Sequence, residues 1–243
     1  MSRVQALSQI FILESACPEK IKASREAMEE LEKMTRKSDK DENKIDNSII
    51  PCNIRSIQKN IENFKTSSAF KRACVVCLQE TWLDPYALVP NFLDGWEQHV
   101  NSVGRGKGII TCYKTQYSWD RNITRAKYQL TKIISKSQDI INVYRSAGAN
   151  DDNFIEDLQQ LINLDKDVLI LGDFNICYKS HKKNKVFEEL KSLGFQQLVE
   201  FPTHTEGHLL DLVFSHSTDG QTANKVSQQS QFFTDHDLIE VFK

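Results

Sequence analysis

Polar and ionisable residues recur where the apolar runs of this chain end. They form a series of acids, amides, a tyrosine and a histidine: Asn53, Glu80, Tyr144, Asp173, Asn175, Asp211, Asp235 and His236. In a layered α/β fold, the loops at strand ends converge into a cleft, so a whole series indicates a site more strongly than any single member. The reaction that needs this set of groups is phosphodiester hydrolysis.

Phosphodiester hydrolysis needs groups that offset the negative charge of the phosphate, because that charge repels a nucleophile. A Mg²⁺ ion held by one or two carboxylates does so through phosphate oxygens and water. Asn, Tyr and His side chains donate hydrogen bonds to the non-bridging oxygens as charge develops. An Asp or His must position and deprotonate the attacking water, and a second Asp must orient the His.

The elements that must position these residues have the pattern of an α/β domain. Apolar, β-branched and aromatic runs predict strands at Ser48–Ile54, Ala73–Gln79, Gly108–Lys114, Tyr128–Ser135, Asp139–Tyr144, Asp167–Leu171, Phe195–Val199, Leu209–Ser215, Val226–Phe232 and Leu238–Phe242. Apolar residues at helical spacing predict helices that begin near Ile57, Phe154 and Val186. Strands outnumber helices about three to one and do not alternate with them. We therefore predict a four-layer α/β sandwich, with two mixed β-sheets packed face to face and helices outside.

The N-terminal part of the 243-residue chain differs from the rest. Glu19–Lys44 carries eight acids and eight bases with only a thin apolar stripe, which predicts a charged helix that frays into the polar stretch Ser38–Asn47. We therefore expect residues 1–47 to be a charged helical or disordered appendage and residues 48–243 to be the domain. A linker, a coiled-coil partner helix and a remnant of other sequence are the alternatives for the appendage.

One segment of the domain is strongly basic. Gly104–Lys136 holds eight basic residues against one acid, Asp120, although the whole chain has a formal net charge of −2. The segment is either a solvated strand edge guarded by lysines or a surface that follows a nucleic-acid backbone. On the second interpretation, Arg121, Arg125 and Lys127 bind the substrate.

Cysteine usage and hydropathy bear on the compartment. The chain has six cysteines without the paired CxxC spacing of a zinc site, and Cys74 and Cys77 lie in an apolar run, so we expect them to pack as small hydrophobic residues. The apolar run Ile10–Leu13 is too short for a signal peptide or a membrane span. We expect an intracellular protein, nuclear or cytoplasmic and not secreted, with no membrane partner.

Six short motifs contain the polar series. In chain order they are Asn53-Ile54-Arg55-Ser56, Gln79-Glu80-Thr81-Trp82, Tyr144-Arg145, Gly172-Asp173-Phe174-Asn175, Leu210-Asp211-Leu212-Val213-Phe214 and Asp235-His236. From about Ser48 to Lys243 they resemble the signature of the endonuclease/exonuclease/phosphatase superfamily. The segment Phe201-Pro202-Thr203-His204, followed by Leu210-Asp211, resembles in particular the endonuclease domains of non-LTR (LINE-type) retrotransposons.

The resemblance implies a role for each residue of the series. Glu80 would be the principal Mg²⁺ ligand with Asp235 beside it, and Mn²⁺ would be the substitute ion. Asp173 would activate or align the attacking water, and His236, oriented by Asp211, would stabilise the phosphorane-like state. The scissile phosphate of a DNA partner would be held by Asn175, Asn53 and Tyr144, and also by Thr203, for which Thr205 is the alternative.

Each residue taken alone also has a structural interpretation. These are a turn for Asn53, a solvated strand terminus for Glu80, a half-buried strand position for Tyr144, an Asx-type turn for Asp173 and Asn175, surface acids for Asp211 and Asp235, and a structural histidine with its hydrogen bonds satisfied for His236. If these structural interpretations were all correct, the residues would match the order of the family motifs only by accident. Because that is improbable, the functional interpretation is favoured.

Two positions depart from the pattern that the resemblance implies. Arg55 stands where several DNA-repair and phosphatase members carry another acid or amide, which leaves the metal with fewer protein ligands. Ser146 stands where a proline is common after the Tyr144-Arg145 pair. We predict a Mg²⁺-dependent DNA-nicking endonuclease of retrotransposon origin. The alternatives are a phosphatase or other phosphodiesterase of the same fold, or a catalytically inert binding module derived from a retroelement.

Overall fold

The computed structural model describes residues 47–86, 89–220 and 224–242. The predicted appendage lies outside these residues except for Asn47. The helices and strands in the described ranges are β1 Ser48–Asn53, α1 Ile57–Lys65, α2 Ser68–Arg72, β2 Ala73–Gln79, β3 Glu97–Asn101, β4 Ile109–Tyr113, β5 Ser118–Thr124, β6 Tyr128–Ile134, β7 Gln138–Arg145, α3 Asp151–Gln159, β8 Asp167–Asp173, α4 Lys185–Ser192, β9 Gln196–Gln197, β10 Asp211–His216, β11 Lys225–Gln229 and β12 Leu238–Phe242. Among these helices, none has the length and apolar character needed to cross a membrane.

The strands form two six-stranded sheets. The first has the order β11-β12-β1-β2-β4-β3, and the second has the order β5-β6-β7-β8-β10-β9. One central pair in each sheet is parallel, β1 with β2 and β7 with β8, and the other pairs are antiparallel. Both sheets are therefore mixed, and the predicted two-sheet α/β sandwich is confirmed.

The core lies on both faces of the first sheet because alternate strand residues point to opposite sides. Val75 faces the second sheet and belongs to one buried cluster with Ile141 and Leu171. The next residue, Val76, belongs to a separate cluster with Phe64 of α1. Full burial of one side chain of this size contributes about 1.5–3 kcal/mol to the stability of the fold. The two sheets therefore enclose the main core, and α1 covers the outer face of the first sheet.

All ten predicted strands occur, but several boundaries and three further elements were not predicted. The predicted strand at Phe195–Val199 is only Gln196–Gln197, and the one at Val226–Phe232 is Lys225–Gln229. The missed strands β3 and β5 are polar edge strands without an apolar run. The missed helix α2 has five residues, too few for a helical period. Cys74 and Cys77 are buried among apolar side chains, as expected.

Candidate active site

The strand register brings the polar series to one edge of the sandwich. In the second sheet, Tyr144 lies opposite Asp173, and Asp173 lies opposite Asp211. In the first sheet, Asn53 lies opposite Gln79, which is followed by Glu80. Because β1 and β2 run parallel, as do β7 and β8, each pair ends at the same edge of its sheet.

Asp173 is the acceptor at the centre of this edge. It is fully buried, and its Oδ2 accepts hydrogen bonds from Asn53 Nδ2 at 3.0 Å and from Asn175 Nδ2 at 3.1 Å. Its Oδ1 accepts from the backbone N–H of Asn175 at 2.9 Å. This is the Asx-type turn, and Asn175 adopts a φ of 50° that asparagine tolerates better than most residues. The contact with Asn53 links the two sheets at the site.

Burial sets the protonation of Asp173. Desolvation, then the nearby charges of Asp211 and Glu80, raise the pKa of this carboxyl to about 8, and the nearby His236 charge acts in the opposite direction. Such a carboxylate is a stronger base than an exposed aspartate. The site therefore contains a carboxyl group suited to accept a proton near neutral to mildly basic pH.

Asp211 and His236 form a buried pair. His236 Nδ1 lies 2.8 Å from Asp211 Oδ2, and the two residues are 5% and 2% exposed. Burial lowers the pKa of His236, but the charge and hydrogen bond of Asp211 outweigh it and raise that pKa to about 9. The imidazole is therefore charged at neutral pH, and both of its nitrogens are donors. Its Nε2 lies 3.4 Å from Asn53 Nδ2, so two donors stand side by side where an anion can be bound.

The Asp211 backbone is held by Thr203. Thr203 is fully buried, and its Oγ1 accepts hydrogen bonds from the backbone N–H groups of Leu210 at 3.1 Å and Asp211 at 3.0 Å. Its hydroxyl therefore positions β10, and the structure does not place it on an open surface.

Tyr144 flanks Asp173 on the neighbouring strand β7, opposite to Asp211 on β10, and Glu80 follows β2 of the other sheet. Glu80 is half-buried with a φ of 49°, and its Oε2 accepts from Trp82 Nε1 at 3.2 Å. The Tyr144 hydroxyl donates to the Gly106 carbonyl oxygen at 3.1 Å. Burial, then the charge of Glu80, raise the pKa of Tyr144 well above its ordinary value, so the hydroxyl keeps its proton. Tyr144 is thus a neutral donor beside a carboxylate.

Asp235 completes the group and has one free oxygen. Its Oδ2 pairs with Arg55 Nη1 and lies 3.3 Å from His204 Nε2. Its Oδ1 lies 3.9 Å from His236 Nε2, is buried, and accepts no hydrogen bond from any described residue. A buried carboxylate oxygen without a donor fits a hard divalent cation, which prefers oxygen ligands. By the chemistry of its side chain Asp235 fits a divalent metal ion, and the Glu80 carboxylate offers the same kind of ligand.

The three basic residues expected to bind substrate do not all line the same cleft. Arg125 and Lys127 lie in the β5–β6 turn and line a cleft of about 530 Å³. Arg125 is paired with Asp157 through Nε–Oδ2 and Nη2–Oδ1 contacts of 2.7 Å and 2.9 Å. Arg121 lies within β5 and is 3.4 Å from the Asp120 carboxylate.

The charge imbalance of Gly104–Lys136 is smaller in the fold than in the sequence. Arg125 is paired with Asp157, and Lys132 lies 2.8 Å from the buried Asp139, and both acids come from outside the segment. Lys127 is therefore the member of the predicted trio for which no acidic partner is seen among the described residues.

A sequence profile described as the Endonuclease/Exonuclease/phosphatase family matches residues 23–236. The chain belongs to the endonuclease/exonuclease/phosphatase family. The predicted superfamily is thereby confirmed. No curated protein sequence matches the chain.

Solved structures with the fold of this family are similar to the chain at low sequence identity. An AP endonuclease from Archaeoglobus fulgidus has 12% identity and a TM-score of 0.64, with 81% of this chain and 99% of that chain covered. The endonuclease domain of TRAS1, a telomere-specific non-LTR retrotransposon, has 13% identity and a TM-score of 0.62, with 81% and 97% covered. The 3′ phosphatase NExo from Neisseria, bound to a product DNA hairpin, has 16% identity and a TM-score of 0.62, with 81% and 99% covered. At these identities the likeness shows the fold.

Two residues at the site were not predicted to contact Asp235. Arg55 was identified as a departure from the family pattern, and His204 was part of a motif without a role of its own. Both lie within quoted motifs, Arg55 two residues after Asn53 and His204 directly after Thr203, and that position is the signal in the sequence. Their contact with Asp235 spans 180 residues for Arg55, so no local pattern predicts it.

Proposed function

We propose that this chain is a Mg²⁺-dependent endonuclease that nicks DNA and derives from a non-LTR retrotransposon. The observation that carries the proposal is the buried array in which Asn53 and Asn175 donate to Asp173 while Asp211 pairs with His236. Phosphodiester hydrolysis needs a base, an anion-binding donor pair and a cation ligand together, and the array supplies the first two beside Glu80 and Asp235.

The scissile phosphate is proposed to bind between His236 and Asn53. With both imidazole nitrogens protonated, His236 Nε2–H and Asn53 Nδ2–H present two donors 3.4 Å apart to one phosphate oxygen. Asp211 fixes the imidazole from the other side, so the donor does not reorient as charge develops. The Asn175 amide has a second N–H that can donate to a non-bridging oxygen, and the neutral Tyr144 hydroxyl can do so when it turns away from the Gly106 carbonyl oxygen.

Asp173 is proposed to act on the attacking water. Three hydrogen bonds fix its carboxylate, and its raised pKa makes it a base of suitable strength. The water oxygen bonds to phosphorus, and its proton passes to Asp173. The bond from phosphorus to the leaving sugar oxygen breaks, and that oxygen takes a proton from solvent to become the hydroxyl of the product. A Mg²⁺ ion bound by Glu80 and Asp235 would supply neutralisation of the phosphate charge.

DNA is proposed as the substrate on two grounds. The Phe201-Pro202-Thr203-His204 segment and the motifs around it resemble retrotransposon endonucleases, and the TRAS1 domain is among the structures of similar fold. Lys127 and the polar cleft of the β5–β6 turn lie near the end of β6 that pairs with Arg145, next to Tyr144, where a DNA backbone is expected to pass.

A substrate panel tests the proposal. Purified protein is incubated with supercoiled plasmid, a duplex with an abasic site, a DNA hairpin with a 3′ phosphate, and an inositol phosphate, each with Mg²⁺ and with EDTA. We expect Mg²⁺-dependent nicking of the plasmid, and a rate lower by roughly 10²-fold or more for Asp173→Asn. Faster phosphate release from the hairpin or from the inositol phosphate than plasmid nicking would assign a phosphatase, and no turnover of any substrate by the folded protein would assign a binding module.

A further inference from the structure

The carboxylate of Asp235 is held on one side only. Arg55 reaches Oδ2 from the turn after β1, and His204 reaches the same oxygen from the loop before β10. The other oxygen, Oδ1, is buried and receives no donor from the described residues. Two donors on one oxygen and none on the other set which oxygen is left for a further ligand.

The backbone fixes which nitrogen of His204 carries the proton. The N–H of Glu206 lies 3.2 Å from His204 Nδ1, so Nδ1 must accept and the proton of the neutral ring is on Nε2. The Nε2 nitrogen that carries the proton lies 3.3 Å from Asp235 Oδ2, in polar contact with that carboxylate oxygen. The ring is also set edge-on against His236, with centroids 4.9 Å apart. His204 is therefore held in one orientation and one tautomer.

The main chain ties the His204 loop to the Asp235 loop. A β-bridge joins His204 and His236, Thr205 N–H donates to the Asp235 carbonyl at 2.9 Å, and Asp237 N–H donates to the Thr203 carbonyl at 2.8 Å. Because both loops are fixed to each other, the distance from the imidazole to the Asp235 carboxylate is set by the backbone.

We propose that His204 is a positioning residue which, together with Arg55, holds Asp235 Oδ2 and so presents Oδ1 to the divalent cation. The inference rests on the proposed metal-dependent function and adds to it the orientation of one ligand. The two residues differ in their electrostatic effect, because Arg55 adds a positive charge beside the cation whereas His204, whose Nδ1 accepts from the Glu206 N–H, acts by orienting the carboxylate.

A transition-metal site is the competing interpretation of the same residues. His204, Asp235 and His236 offer ligand atoms that all lie within 4.8 Å of one another. A metal on His204 Nε2 would move the ring proton to Nδ1, where it would face the Glu206 N–H. The hydrogen bond from Glu206 therefore favours the donor role of His204.

Metal binding and imidazole NMR test the inference. Mn²⁺ binding is measured by EPR on the wild type, His204→Phe, His204→Gln and Arg55→Gln, with circular dichroism to confirm folding. His204→Phe keeps the ring but removes the donor, and we expect Mn²⁺ binding to weaken roughly 10-fold. His204→Gln retains an N–H donor and should restore most of the affinity. Arg55→Gln should tighten binding roughly threefold or more, because a like charge is removed.

Matched controls and a metal-free readout separate the outcomes. The controls are His208→Phe, whose ring is 6.3 Å from His204, and Lys59→Gln, on the exposed face of α1. In the metal-free protein, ¹⁵N NMR should show His204 with its proton on Nε2. Three results would each overturn the inference. They are wild-type Mn²⁺ affinity in His204→Phe, a His204 ring with its proton on Nδ1, and Zn²⁺ binding by the wild type that both His204 variants abolish. A wild type that binds no Mn²⁺ but keeps the Nε2–H tautomer overturns the metal-dependent function and leaves only the polar contact of His204 with Asp235.

Discussion

Replacing Asp211 with asparagine retains the shape of the side chain. It removes the negative charge that orients the His236 ring and favours its protonated form. Asp211 Oδ2 lies 2.8 Å from His236 Nδ1, and both residues are buried. Its charge and hydrogen bond, with smaller contributions from the charges of Asp173 and Asp235, raise the pKa of His236 from 6.5 to about 9 against the opposing effect of burial. At 1.36 kcal/mol for each tenfold change, this corresponds to about 3 kcal/mol in favour of the imidazolium.

The variant should change the pH dependence in a defined direction. The active form needs Asp173 as a carboxylate and His236 as an imidazolium, so wild-type kcat/KM should rise up to about pH 8 and fall above about pH 9. Asp211 raises the pKa of both groups, so Asp211→Asn should move both limbs to lower pH. The rate at the optimum should fall roughly 10²-fold or more, as for loss of one preorganised donor, while DNA binding is retained.

Stability supplies a second readout with a fixed sign. The raised pKa of His236 means that its pairing with Asp211 stabilises the fold fully below pH 6.5 and that this contribution is lost as the pH rises through about 9. The difference in melting temperature between wild type and Asp211→Asn should therefore shrink between pH 6 and pH 10. A variant with wild-type rate and unchanged limbs, measured by plasmid nicking from pH 6 to pH 10, would refute the catalytic assignment and make Asp211 a structural acid.

Three further perturbations test other parts of the site. Glu80→Ala should abolish Mg²⁺-dependent cleavage and leave the circular dichroism spectrum intact, and equal nicking by variant and wild type at low Mg²⁺ would exclude Glu80 as a ligand. Gly172→Ala should lower the free energy of unfolding, measured in urea, by ~3 kcal/mol or more. Gly172 has a φ of 134°, and an added Cβ would lie 2.0 Å from the Val143 carbonyl oxygen. A loss under ~1 kcal/mol would show that the strands adjust to the added atom. Glutamine is introduced in place of the three predicted basic residues, Arg121, Arg125 and Lys127. The slope of the logarithm of the DNA-binding constant against the logarithm of the salt concentration should flatten by about one unit per lost phosphate contact. An unchanged slope would make the segment a solvated strand edge.

The strands that position the site were predicted because they are buried on both faces. Ala73–Gln79 and Leu238–Phe242 were predicted to the residue, since each is an apolar run with sharp polar ends. The strands Glu97–Asn101 and Ser118–Thr124 were missed because an edge strand exposes one side and has mostly polar residues. The sequence pattern therefore predicted the strands that are buried in the interior of the sheets.

The site was predictable as a set of residues and, apart from the Asp211–His236 pair that the family resemblance implied, not as a set of contacts. Polar residues at strand ends identified the members, since register then fixes pairs such as Asp173 and Asp211. The sequence contains nothing that predicts the Arg55 and His204 contacts with Asp235, because these depend on how loops distant in the chain pack. The ion pair between Arg125 and Asp157 was likewise not predicted, and it changes how much free positive charge the basic segment has.

The measurement that tests the account most directly is plasmid nicking by wild type and Asp173→Asn, purified in parallel and shown to be folded. Asp173 is fully buried, joins the two sheets through Asn53, and is the proposed base. The account predicts conversion of supercoiled to open-circular plasmid by the wild type with Mg²⁺, none with EDTA, and a rate lower by roughly 10²-fold or more for the variant. No nicking by folded wild type, or equal nicking by the variant, would contradict it.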